Sequence, residues 1–560
     1  MKNILFAFII PLFAVALTSC KKDNTIISVV PESPRPVSGF SYTSEYLVVT
    51  FTNTSTDAKT YYWEFGDGAT SSEMSPVHTY TSTGNYDVVL KVNSAAGYSD
   101  TERQTIFVAG HVEASFTYAA GLGLQINFDA AGSVNIQTAV WDFGDGSAQV
   151  TGITAAHIFP AAGTYNVTLT VTGLSGDMVT KTVPVTVVDN RTVMNIVDKN
   201  ATAETKALYS QLWAIQSVGA MFGHHDDLWY GREWRDVAGR SDVKEVCGDF
   251  PAVFSVDFAE IMDDRALTGT SIRWNEVRRR CIIEAYGRGE VTMACIHINN
   301  PLTGGDAWDN SNNNVVRQIL TEGSPTNVKY KGWLDRVADF ANNLKDPSGT
   351  LIPILFRPYH EHTQTWSWWG SQCTTQSDFI AFWRYTIEYL RDTKNVHNFL
   401  YAISPQMDSV LPKEQLLFRW PGDDYVDFLG MDCYHGTYTQ AYNSNLKNII
   451  AISEEKKIPC GVTETGIEGI RINNQPYAEY WTEQMLAPLN QLRNATGKTV
   501  SMVVMWRNEY DPYSTGYHYF GPYIKHPSAA NFVEFYNSPV TLFSKDLPNM
   551  YQLSPAVIVQ

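Results

Sequence analysis

Trp63-Glu64-Phe65-Gly66-Asp67-Gly68 returns 78 residues later as Trp141-Asp142-Phe143-Gly144-Asp145-Gly146. Such a repeat forbids one continuous core through the first third of the chain, because each copy brings its own core residue and its own turn. Each copy is followed by His-x-aromatic, His78-Thr79-Tyr80 and His157-Ile158-Phe159, and then by Gly-x-Tyr-x-Val, Gly84 to Val88 and Gly163 to Val167. These lead into the β-prone runs Val88-Val89-Leu90-Lys91-Val92 and Val167-Thr168-Leu169-Thr170-Val171. Short strand-like runs between Gly, Asp and Ser turns describe antiparallel sandwiches of about 80 residues. Gly-Asp-Gly supplies a tight turn, and the tryptophan fills a small core.

From about residue 200 onward, apolar strand-like runs alternate with helical stretches, which implies parallel β/α architecture. Eight runs are candidates: Val218 to Gly223, Pro251 to Val256, Val291 to Ile296, Leu351 to Phe356, Phe399 to Ile403, Val426 to Gly430, Cys460 to Val462 and Val500 to Met505. The seventh is the shortest. Eight strands in roughly 360 residues fit a (β/α)8 (TIM) barrel with long loops, of which Asn299 to Asn314 is the clearest. The fold class is therefore multidomain: two all-β Ig-like sandwiches, then a barrel.

In that fold the active site lies at the C-terminal ends of the strands. A polar residue follows every run: His224, His225, Asp226 and Asp227; Asp257; His297; Arg357, His360 and Glu361; Gln406; Asp432, Tyr434 and His435; Glu464; Trp506 and Arg507. Glu361 and Glu464 are 103 residues apart, or three β/α units at about 31 residues each. That puts them on the fourth and seventh strands, across the barrel mouth, where two carboxyls can flank a glycosidic bond. Glu361 sits between His360 and His362, with Trp366, Trp368 and Trp369 close behind. Aromatic surroundings raise a carboxyl pKa, as a general acid requires. Glu464 lies in the polar Thr463-Glu464-Thr465-Gly466, which suits a charged nucleophile.

Composition narrows the partners. Charged residues are 18% and aromatics 13%, with 15 Trp and 30 Tyr among 560 residues, a balance that suits stacking on uncharged rings. A net charge of -17 argues against nucleic acid or an anionic membrane surface as partner. The N-terminal apolar run Ile4 to Leu17 follows Lys2 and is too short to span a bilayer, which takes about 20 residues. It ends Leu17-Thr18-Ser19-Cys20, which resembles a bacterial lipobox with Cys20 as the acylated residue. The expected address is a lipid anchor at the outer membrane or cell surface of a Gram-negative bacterium. A polar stretch with Pro31, Pro34 and Pro36 then reads as a tether. The expected organisation is a signal peptide over 1–19, tether over 20–37, sandwiches over 38–110 and 111–190, and barrel over 191–560. Cys247, Cys281, Cys295, Cys373, Cys433 and Cys460 contain no CxxC pair, which argues against a zinc site. An exported chain permits a disulfide, and spacing assigns none.

The repeated segments resemble the polycystic-kidney-disease (PKD) domain through the WDFGDG motif, over about 40–109 and 112–189. Such modules serve as spacers or bind glycan directly. Arg357-Pro358-Tyr359-His360-Glu361 with Trp366-x-Trp368-Trp369-Gly370 resembles the acid/base segment of glycoside hydrolase family 26, and Thr463-Glu464-Thr465-Gly466 its nucleophile segment. Gly223-His224-His225-Asp226-Asp227, His297-x-x-Asn300-Pro301, Gly304-Gly305-Asp306-Ala307-Trp308, Asp432-x-Tyr434 and Trp506-Arg507-Asn508 extend the likeness over about 205–545. One departure is His225, where the resemblance implies a glutamine.

The resemblance implies a retaining endo-β-1,4-mannanase with Glu361 as acid/base and Glu464 as nucleophile. Tyr434 would hold Glu464 in line, and His297 and His360 would meet sugar hydroxyls. Trp366, Trp369 and Trp506 would offer stacking faces, Asp257 would add a polar contact, and Arg357 would orient the carboxylates. The expected partner is β-mannan, with a monomeric chain and no metal or organic cofactor. Two alternatives stay open: the same mechanism on xylan or mixed-linkage β-glucan, and a non-catalytic glycan-binding lipoprotein.

Overall fold

A computed structural model describes residues 32–560. The expected signal peptide, Cys20 and most of the tether lie outside the described residues.

The repeat builds two sandwiches of the same design. In the first, a three-stranded sheet (Phe40–Glu45, Val48–Asn53, Val77–Thr79) faces a four-stranded one (Thr70–Ser71, Thr60–Glu64, Gly84–Asn93, Ser99–Val108). The second repeats this with Thr117–Ala120, Gln125–Asp129 and Thr154–Ile158 against Val150–Thr151, Ile136–Asp142, Gly163–Gly173 and Met178–Val187. Alternation sets the faces, since Val88, Leu90 and Val92 are fully buried, as are Val167, Leu169 and Val171.

Each residue of the repeated motif has a physical task. Trp63 and Trp141 are fully buried, and their indole N–H groups donate to the carbonyls of Glu73 (2.9 Å) and Gly152 (2.8 Å). Phe65 and Phe143 stack flat on His78 and His157, with ring centroids 4.1 and 3.9 Å apart. Those histidines contact the turn aspartates, Asp67 at 2.7 Å and Asp145 at 2.6 Å. Gly66 and Gly144 have φ of +85° and +74°, and a Cβ on Gly144 would stand 2.5 Å from the Asn166 carbonyl oxygen. Any other residue there would part the turn from the neighbouring strand. Trp141→Ala should cost the second sandwich about 3–5 kcal/mol, the scale of a core tryptophan truncation. For a domain of about 80 residues this lowers the melting transition by roughly 15 °C or more. Calorimetry reads it, and an unmoved transition would contradict this account of the core.

The barrel strands are β1 (Ala220–His225), β2 (Val253–Asp257), β3 (Val291–Cys295), β4 (Ile354–Arg357), β5 (Phe399–Ile403), β6 (Phe428–Cys433), β7 (Cys460–Thr465) and β8 (Met502–Met505). All pair in parallel in chain order, and β1 closes the ring against both β8 and β2. Nearly every strand residue is buried because helices cover the outer face, so the strands read as continuous apolar runs. Several ladders begin two or three residues later than the apolar runs do. Ala252, Ile352, Val426 and Val500 are buried beneath the barrel before pairing starts, so hydrophobicity precedes the ladder.

The seventh strand differs most from expectation. It spans six residues and continues through the polar Thr463-Glu464-Thr465. Thr463 donates to Asp432 Oδ1 (2.7 Å) and Thr465 to the Cys433 carbonyl (2.7 Å), so hydrogen bonds replace apolarity as the condition for burial. The register slips by one residue here against both neighbours, with Met431 opposite Val462 but Asp432 opposite Glu464. A bulge of this kind re-aims a side chain, in this case Glu464.

Candidate active site

β4 delivers Arg357, and the loop after it delivers Glu361. Two non-glycine residues in that loop adopt left-handed backbone, Tyr359 at φ 50° and Glu361 at φ 51°. Each such residue costs about 1–3 kcal/mol and persists only where its surroundings fix it. The Glu361 N–H donates to the Ser404 carbonyl (2.9 Å), and the Trp369 indole donates to the His360 carbonyl (2.8 Å). The Tyr359 hydroxyl is bonded to Thr386 (2.8 Å) and to Tyr330.

The two carboxyls sit in contrasting environments. Glu361 is 8% exposed, and its one side-chain donor is the Trp366 indole, at 2.6 Å from Oε2. Burial, then the charges of Glu464 and Asp432, push its carboxyl well above the usual range. Glu464 accepts from Tyr434 Oη (2.9 Å) at Oε2 and from the Arg357 guanidinium at Oε1. Burial and the Glu464 charge also raise the Tyr434 phenol, so it remains a donor. One carboxyl is thus set to carry a proton, while the other faces a cation and a phenol.

Arg357 is wholly buried under this floor. It also donates to Asp432 Oδ2 (2.7 Å) and Ser404 Oγ (2.9 Å), and Ser404 donates on to Asp432 (3.0 Å). Burial works against the arginine charge, but the Asp432 and Glu464 carboxylates outweigh it and raise its pKa. Ser404 therefore ties both halves of the site together, its carbonyl holding Glu361 and its hydroxyl sharing Arg357 with Glu464.

Glu361, Glu464, His297, His360, Trp366, Tyr434 and Trp506 line one open cleft of about 470 Å3, joined by Trp308, Gln364, Gln406 and Phe520. His360 Nε2 lies 3.1 Å from His297 Nε2 and 3.9 Å from Glu464 Oε1. Burial drives the His360 pKa well below its usual value, so the ring is neutral at pH 7. Trp308 is 57% exposed and leans on Trp366 with centroids 5.3 Å apart. One expected stacking face lies elsewhere, since Trp369 is fully buried behind His360, while Arg357 lies beneath the floor, bonded to the Glu464 and Asp432 carboxylates.

The cleft runs into a second lobe of about 410 Å3 that shares His297, Trp308 and Trp506 and adds His225, Asp226, Trp229, Asp257 and Arg507. His225 stacks under Trp506 (centroids 4.3 Å), and burial drives it down to about 3. Asp226 Oδ1, Trp229 Nε1 and Arg507 Nε are buried there without a protein partner. Leaving such groups unpaired costs about 1–3 kcal/mol each, so ordered water would satisfy them. Larger hollows of about 610 and 740 Å3 lie beside Tyr286 and Leu553, and no C-terminal end of a barrel strand reaches them.

Of the groups that could hold a metal, Asp257, Cys295 and His297 bring ligand atoms within 4.8 Å of one another. All six described cysteines are free thiols. Sequence reasoning did not single out Ser404, Gln364 or Phe520. Ser404 immediately follows a strand and was open to the same reasoning as Gln406, whereas Phe520 arrives from an irregular loop well past β8 and carries no local signal.

Comparison with known proteins agrees with this geometry. The glycosyl hydrolase family 26 profile matches residues 197–484, and the PKD domain profile matches 41–109 and 111–187. A mannan endo-1,4-beta-mannosidase of Bifidobacterium adolescentis is 35% identical over 250 residues, 44% of this chain. The match spans only 24% of that protein's length. A solved GH26 beta-mannanase from Bacteroides ovatus is 38% identical, covering 63% of this chain and 98% of its own, with a TM-score of 0.57. The catalytic domain of an endo-beta-1,4-mannanase from Bacillus sp. JAMB-750 is 30% identical, covering 66% and 98%, with a TM-score of 0.59. With a family profile over about half its length and solved relatives covered almost end to end, the chain belongs to glycosyl hydrolase family 26.

Proposed function

We propose that this chain is a retaining β-mannanase that cleaves β-1,4-mannosidic bonds in mannan, glucomannan or galactomannan. The observation that carries the reading is the unequal pair in one cleft, Glu361 buried beside other carboxylates that raise its pKa and Glu464 gripped by Tyr434 and Arg357. In double displacement, Glu361 protonates the departing glycosidic oxygen while Glu464 attacks the anomeric carbon. Glu361, now charged, takes a proton from water, and that water releases the sugar from Glu464 with net retention.

Substrate class is supported by the lining and by the relatives. The lobe around the two glutamates offers the aromatic faces of Trp366, Trp506 and Trp308 and is lined by no lysine or arginine, which suits an uncharged polysaccharide. The Bifidobacterium, Bacteroides and Bacillus relatives named above carry mannanase names. Reducing-sugar release on linear mannan, xylan and lichenan tests the choice. kcat/KM on mannan should exceed the others by at least about tenfold, a margin that a few specific polar contacts supply. Release from xylan or lichenan alone would transfer the reading to those backbones, and none from any would leave a glycan-binding role.

A further inference from the structure

Three potential ligands converge behind the His297 wall of the cleft. Asp257 ends β2 and is the ladder partner of Cys295 on β3, so their side chains start side by side. His297 lies two residues beyond Cys295, on the same side of the extended chain. Asp257 Oδ2 already accepts from His297 Nδ1 at 2.9 Å. Atoms from all three residues lie within 4.8 Å of one another, so shifts of about 1 Å bring them to the roughly 3.5 Å that separates two ligands on one tetrahedral ion with bonds of about 2.0–2.3 Å. Cys295 is fully buried, while the Asp257 and His297 side chains are 23% and 14% exposed and line the second lobe, which gives an ion its way in.

We propose that Asp257, Cys295 and His297 form an inhibitory site for a thiophilic divalent cation, of which Zn2+ is the fitting representative. One thiolate, one imidazole and one carboxylate suit zinc and not calcium or magnesium, which take oxygen ligands. Binding releases the Cys295 thiol proton to solvent and replaces the His297–Asp257 hydrogen bond with two metal bonds. Coordination at Nδ1 leaves the neutral ring's proton on Nε2, the atom facing His360 Nε2 at 3.1 Å. Without metal, Nδ1–H donates to Asp257, and Nε2 is free to accept from His360. The ion therefore reverses a hydrogen bond whose far ring stands 3.9 Å from Glu464. Cys295 itself lines neither lobe of the cleft.

The experiment uses the full chain, stripped with a chelator and then titrated with Zn2+ during hydrolysis. Inhibition should follow one site and reverse with chelator. In Cys295→Ser, metal-free activity is retained, and half-inhibition moves to at least about tenfold higher Zn2+, as loss of one ligand requires. Co2+ provides a readout independent of activity and of the mannanase reading. The wild-type chain should gain a thiolate-to-cobalt charge-transfer band that Zn2+ displaces, and Cys295→Ser should lack it. Asp257→Asn should weaken Co2+ binding while keeping the band. Equal Zn2+ sensitivity in Cys295→Ser, or no band in the wild-type chain, would overturn the proposal.

Discussion

Glu464→Ala lowers kcat on linear mannan by about 10⁴-fold or more, the scale on which removing a covalent nucleophile acts. No other carboxylate can take its place. Asp432 is wholly buried with both oxygens engaged by Arg357, Ser404 and Thr463, and it does not reach the cleft. Asp257 faces the second lobe and is bound to His297 and to the Ala259 amide. Mannan binding should persist, because Trp366, Trp506 and the second lobe are untouched. Alanine leaves Arg357 with Asp432 as its one carboxylate, and stability falls because breaking one arm of a buried ion pair is costly. Glu464→Gln separates the two effects. Its amide keeps the shape and one acceptor yet cannot form the glycosyl-enzyme, so turnover should fall just as far while melting moves less. Mannanase assays, calorimetry of both variants and mannan titration are the measurements. Residual turnover above about a hundredth of wild type would remove Glu464 from the nucleophile role.

The barrel and its two acids were legible for a simple reason. Strands covered on both faces are written as apolar runs, and the first polar residues beyond them stand at the mouth. That rule found Glu361, His297, Tyr434 and Trp506, but it misjudged the seventh strand. Thr463 and Thr465 look like the start of a loop in hydropathy, whereas in the fold they are buried because Asp432 and the Cys433 carbonyl accept their hydroxyl protons. Trp366, Trp368 and Trp369 are alike in sequence and are told apart only by where one loop turns. Their indoles donate to Glu361, to the Ile298 carbonyl and to the His360 carbonyl in turn. The left-handed Tyr359 and Glu361 have no signature, since neither residue type favours that conformation. The grouping of Asp257, Cys295 and His297 was passed over for a related reason. A search for CxxC looks along one strand, and the third member of that group, Asp257, stands on the next.

Glu361→Ala should divide the reaction into halves that can be read separately. On mannan, whose leaving sugar alcohol needs a proton, kcat should fall by about 10²–10⁴-fold, the contribution of general acid–base catalysis. A mannoside with a dinitrophenolate leaving group needs no proton to depart, so Glu464 still forms the glycosyl-enzyme. Release then waits for a base that is missing, and a burst of phenolate equal to the enzyme present should precede slow turnover. Azide, a nucleophile that needs no deprotonation, should restore turnover and yield β-mannosyl azide. The pH profile supplies an independent reading. The form of Glu361 that acts on mannan is the protonated one, which is present below its folded pKa and lost as pH rises through it. Burial and the neighbouring carboxylates raise that pKa, so the alkaline limb of kcat/KM belongs well above the ordinary glutamate value of about 4.3. In Glu361→Ala that limb should disappear, whereas Trp366→Phe, which removes the one indole donor to Oε2, should shift it further toward alkaline pH. An alkaline limb unchanged in Glu361→Ala, together with indifference to azide, would assign the acid to another residue and leave Glu361 a structural part of the cleft.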